Sequence, residues 1–161
     1  MRDLKDYLFD VFLVSVIGAY VDKNDPNVVT LVIPNPSEIE TKEKDGKIEI
    51  SGKFKGYLNG IMRADGNFGI EKKDDEISIR YVQWHKPLDD RKFVRSYGEL
   101  NVKGEILDMK TENDKMVAKI RVEKVESIES PLTSYDDIEY DWNYDDHIFI
   151  NPFVNPKIDQ L

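Results

Sequence analysis

The chain has 161 residues, no cysteine and a formal net charge of −9. That length accommodates one domain with appendages rather than two full domains. Without cysteine there is no disulfide, no thiolate metal site and no cysteine nucleophile, which fits a reducing cytoplasm.

The N-terminus carries Asp3, Asp6 and Asp10 beside Arg2 and Lys5, and its apolar run, Val11 to Val21, is flanked by acid. A secretory signal wants a basic start and a small-residue cleavage site, and a bilayer span wants about 20 apolar residues. The sequence therefore reads as cytoplasmic, with no membrane segment. Residues 4–21 predict a short helix, from the spacing of Leu4, Leu8 and Val11, leading into a strand rich in Val and Ile. Asp22 to Asn27 is a turn broken by Asp25-Pro26, Val28 to Ile33 a short buried strand, and Glu38 to Gly46 a polar loop ending in an Asp45-Gly46 turn.

Period-two alternation is cleaner beyond Lys47. Ile48, Ile50, Gly52 and Phe54 alternate with Glu49, Ser51, Lys53 and Lys55. Residues 57–68 read as a hairpin turning at Asp65-Gly66-Asn67. Glu76 to Trp84 is a strand, His85 to Arg95 a charged irregular stretch, Leu100 to Met109 a strand, Thr111 to Asp114 a turn, and Met116 to Ile128 a long strand. Ser130-Pro131 ends the domain, and the remainder mixes acids with aromatics. Five or six such strands predict a mainly β chain: residues 1–46 as an N-terminal extension that pairs with another copy or completes the barrel, 47–130 as the barrel, and 131–161 as an acidic aromatic tail.

Charge is segregated along the chain. Residues 47–128 hold 17 Lys+Arg against 15 Asp+Glu, whereas residues 129–161 hold 1 against 8. A slightly basic middle and an acidic end are compatible with a polyanion site that the global charge conceals.

The segment from Lys47 to Ser130, about half the chain, resembles the bacterial type of single-stranded-DNA-binding protein. Ile50-Ser-Gly-Lys-Phe is similar to that family's first strand and Ala64-Asp-Gly-Asn-Phe to its following turn. Ile79-Arg-Tyr-Val-Gln-Trp-His, Val94-Arg-Ser-Tyr-Gly-Glu-Leu-Asn-Val-Lys-Gly-Glu-Ile and Ala118-Lys-Ile-Arg-Val-Glu-Lys-Val-Glu-Ser-Ile resemble its later strands. Residues 1–46 have no counterpart, and the chain runs past the acidic stretch to Leu161. The resemblance implies an OB-fold-like five-stranded barrel that binds single-stranded DNA without sequence specificity, in replication, recombination or plasmid or phage DNA maintenance. It also implies a homo-oligomer, and replication or recombination proteins docking on Asp145, Asp146, Ile148 and Phe149 of the tail.

Such binding needs cations along the backbone and aromatic faces on which bases stack. Lys53, Lys55, Tyr57, Arg80, Trp84, Lys86 and Arg95 are the predicted contacts, while Phe54, Phe68 and Tyr81 suit the core better. The alternative is an acidic protein-interaction module: a DNA mimic, immunity protein or inhibitor. Enzyme chemistry finds little here: His85 and His147 are the two histidines, no phosphate-binding loop is present, and the acids at 136–146 lack calcium-loop spacing. The sequence predicts no catalytic residue, metal or cofactor.

Overall fold

A computed structural model describes residues 2–58, 62–85 and 94–131. The elements are α1 (Leu4–Phe12), β1 (Gly18–Val21), β2 (Val28–Pro34), β3 (Ser37–Lys44), β4 (Lys47–Leu58), β5 (Met62–Lys73), β6 (Glu76–His85), β7 (Val94–Glu112) and β8 (Lys115–Glu129). All eight strands join one antiparallel sheet in the order β1-β2-β8-β7-β6-β5-β4-β3.

This order forces the sheet to roll. Strands β2 and β3 are joined only through Asn35 and Pro36, yet six inter-strand steps separate them in the sheet. Laid flat, those steps would cover about 29 Å, whereas three Cα–Cα links reach at most about 11 Å. The two ends of the sheet are therefore drawn together. Asn35 bridges them, its backbone N–H donating to Asp114 O at 2.6 Å and its Nδ2 to Lys55 O at 3.1 Å. Among the described residues no strand pairing crosses this seam, so the sheet is rolled but open.

The architecture is mainly β, as the alternation predicts, but it differs from a five-stranded barrel in three respects. First, residues of the N-terminal 46 are built into the same sheet and core. Strand β2 pairs with β8 from Val28↔Arg121 to Pro34↔Lys115, and β1 pairs with β2. Second, the predicted loop at 38–46 is mostly strand β3, exposed along its whole length. Its Glu and Lys residues hide strand character from a hydrophobicity pattern, and they suit an edge strand because charge discourages further sheet pairing. Third, Asp65-Gly66-Asn67 is not a turn; it lies within β5, paired with β4 on one side and β6 on the other. Gly66 is there for space: a Cβ would overlap Val82 O and stand 2.5 Å from the Phe54 ring. Asp45-Gly46 does form the expected turn, both residues having positive φ, 54° and 77°.

One face of the sheet is filled from within. Helix α1 is N-capped by Asp3, reciprocally with Asp6, and buries Leu8, Val11 and Phe12. Phe12 stacks on Tyr81 with ring centroids 5.8 Å apart, and Tyr81 Oη donates to Val11 O at 2.6 Å. The segment after the helix is pinned by Gln83 of β6. Gln83 Oε1 accepts from Val16 N–H at 2.9 Å and Ser15 Oγ at 3.3 Å, and Nε2 donates to Val14 O at 2.8 Å. Phe54, Phe68 and Tyr81 are core residues, along with Ile70, Ile77, Ile79, Leu100 and Ile120. Among the described residues, no helix is long and apolar enough to cross a membrane.

Candidate nucleic-acid interface

Period-two alternation means that burying Phe54, Leu58, Ile79, Tyr81 and Gln83 turns their odd- or even-numbered neighbours to the opposite, outer face. Directly opposed residues on neighbouring strands point to the same side. The register therefore defines rows across the outer face, about 7 Å apart along the strands.

The first row is Tyr57↔Arg63. The next runs Lys55↔Asp65↔Trp84↔Arg95, and the third Lys53↔Asn67↔Val82↔Tyr97. These three rows hold four cations (Lys53, Lys55, Arg63, Arg95) against one carboxylate, Asp65, with three aromatic side chains, Tyr57, Trp84 and Tyr97. Tyr57 is 64% exposed, the most open of the large hydrophobic side chains described. Asp65 is engaged by Arg63 Nε at 3.3 Å. Lys53 meets Glu38 of β3 at 2.8 Å, which holds the ammonium above its ordinary pKa and keeps it charged. Tyr97 Oη donates to Glu99 at 3.1 Å; partial burial, then the nearby Glu99 and Glu129 charges, push its phenol up to about 12.

Part of this surface is concave. A groove of about 680 Å³ has Lys53, Lys55, Arg63 and Trp84 on one side and Asn35, Pro36 and Asn113 on the other. Its second wall is the β2–β3 connection and the β7–β8 turn, which the rolling of the sheet carries beside β4.

Below the aromatic band the charge reverses. The row Glu40↔Ser51↔Gly69↔Arg80↔Glu99↔Glu129 and the row Lys42↔Glu49↔Glu71↔Ser78↔Asn101↔Ser127 hold five carboxylates against two cations. Arg80 is committed here, 3.3 Å from Glu71 and 3.8 Å from Glu49. Glu71 is also paired with Lys47, and this hydrogen bond above all, with that from Arg80, holds its carboxyl below the ordinary range.

Six of the seven predicted contacts thus share the outer face: Lys53, Lys55, Tyr57, Trp84 and Arg95 in the aromatic band, and Arg80 in the acidic one. Lys86, Asp145, Asp146, Ile148 and Phe149 lie outside the described residues. Arg63 and Tyr97 belong to the band as well. The signal for Arg63 is its place opposite Tyr57, legible only when residues 65–67 are taken as strand. Comparison with protein-family models, curated proteins and solved structures gives no match.

Proposed function

We propose that this protein binds single-stranded DNA without sequence specificity, in replication, recombination or plasmid or phage DNA maintenance, through the outer face of β4–β7. The observation that carries the reading is the row Lys55–Asp65–Trp84–Arg95 with Tyr57 and Arg63 above it and Lys53 and Tyr97 below it. Aromatic faces and cations alternate at strand spacing, so a strand of nucleic acid laid across the band meets stacking surfaces and phosphate partners together. Each stacked base is worth about 1–3 kcal/mol, and every base has a face to stack, which makes the binding tolerant of sequence. The surface is the convex outside of an eight-stranded sheet and the groove at its seam, so the reading does not require a five-stranded barrel.

Fluorescence anisotropy with a labelled oligo-dT of about 30 nucleotides tests it. Salt-sensitive binding by the full chain, weakened in Trp84→Ala and Tyr57→Ala, is the expected result. Absence of binding at low salt would eliminate the reading. It would favour instead the acidic band as a docking surface for a basic protein partner.

A further inference from the structure

A second cationic feature lies beyond the acidic band. The next row of the outer face runs Lys44↔Lys47↔Lys73↔Glu76↔Lys103↔Lys124. Five lysines and one glutamate occupy directly opposed positions on six neighbouring strands. Like charges placed directly opposite destabilise a sheet, and this row has three such juxtapositions, Lys44↔Lys47, Lys47↔Lys73 and Lys103↔Lys124. A lysine on an edge strand guards against aggregation, which accounts for Lys44 but not for Lys73 or Lys103 on interior strands.

Partners for these lysines are in ample supply, since the chain carries 32 Asp+Glu against 23 Lys+Arg. Lys47 takes Glu71. Among the described residues Lys44, Lys73, Lys103 and Lys124 have no carboxylate within ion-pair distance; Lys42, Lys55, Lys72 and Lys119 elsewhere on the sheet are alike in this, so it is the alignment in one row that sets these lysines apart. Glu76 within the row and the bulged Glu126 beside it limit its surplus.

We infer that this lysine row is a second binding site, for the sugar-phosphate backbone of duplex DNA. The row follows the roll of the sheet, an arc of five inter-strand steps, about 24 Å, and a duplex carries a negative charge every ~1.7 Å of its axis, dense enough for several of these lysines to meet phosphates together. Among the described residues no aromatic side chain stands in it or in the row above, where a base would stack. That favours a duplex, whose bases are already stacked, over a single strand. Two acidic rows separate it from the aromatic band, so the two sites are distinct, and the inference stands whether or not the aromatic band binds single strands.

The test is anisotropy of the full-length chain with a labelled 20-base-pair duplex, oligo-dT and inorganic polyphosphate, across a salt series, for the wild type and for Lys73→Gln/Lys103→Gln/Lys124→Gln. Each lysine–phosphate contact contributes about 0.9 to the slope of log K against log salt. The triple variant should lose about 2.7 from the duplex slope and bind duplex about tenfold or more weaker at 50 mM salt, with oligo-dT binding unchanged. Removing opposed like charges should leave its thermal midpoint equal or higher, which separates a binding effect from misfolding. An unchanged duplex slope, no duplex binding by the wild type at low salt, or polyphosphate bound more tightly than duplex would each overturn the assignment. Failure of oligo-dT binding alone would overturn the single-strand reading and leave this one standing.

Discussion

Replacing Gln83 with alanine tests what holds the N-terminal segment inside the sheet. The Gln83 side chain is fully buried and is the hydrogen-bond partner of the backbone at both Val14 and Val16. In Gln83→Ala, Val14 O keeps a neighbour in His85 Nε2 at 3.1 Å, but Val16 N–H loses its acceptor. A buried donor left unsatisfied costs about 1–3 kcal/mol. Ser15 Oγ also loses a contact, though it still accepts from Ile17 N–H at 3.0 Å. Adding the cavity left by four side-chain heavy atoms gives a destabilisation of about 2–4 kcal/mol. Urea unfolding followed by tryptophan fluorescence should show the midpoint falling with an unchanged m-value. Because Gln83 sits between Val82 and Trp84 of the outer face, the folded fraction should still bind oligo-dT. A loss below about 0.5 kcal/mol would refute the claim that this amide anchors residues 14–16.

Other outcomes follow from the same geometry. Gly66→Ala should destabilise the fold by about 1–3 kcal/mol, read as a lower thermal midpoint, because its Cβ has no space between Phe54 and the Val82 carbonyl. Trp84→Ala and Tyr57→Ala should each weaken oligo-dT binding by about 1–3 kcal/mol in anisotropy titrations, while Arg80→Ala should change it little, since Arg80 is held by Glu49 and Glu71. Asp65→Asn removes the carboxylate of the aromatic band and should tighten oligo-dT binding, most clearly at low salt. Glu71, with its folded pKa depressed by Lys47 and Arg80, contributes stability that is present above its unfolded pKa and lost as pH falls through the folded value. Glu71→Gln should therefore be less stable than the wild type at neutral pH, and chemical denaturation should show the gap closing at acid pH.

Much of the candidate site is legible along single strands. Lys53, Lys55 and Tyr57 share a side of β4 because Phe54 and Leu58 are apolar, and Arg80 and Trp84 share a side of β6 because Ile79, Tyr81 and Gln83 turn inward. What a strand pattern does not carry is the neighbour across the ladder. Trp84 meets Asp65 and Arg95, and Arg80 faces Glu99, only through the register of three strands. The separation of cations into an aromatic band and a lysine row, with carboxylates between, is likewise a property of rows.

Local pattern along the chain carries the β class, the short N-terminal helix, the inward residues of β4 and β6, and the Asp45-Gly46 turn. All of these follow from helical or period-two spacing of apolar residues or from local φ preference. Tertiary structure decided that charged Ser37–Lys44 is a strand, that Asp65-Gly66-Asn67 runs straight, and that residues 4–34 complete one rolled sheet. The reason is physical: strand pairing joins residues far apart in the chain. Gly66 answers to a ring on β4 and a carbonyl on β6, and the two-residue link at Asn35-Pro36 rolls the sheet only because five other strands stand between its ends.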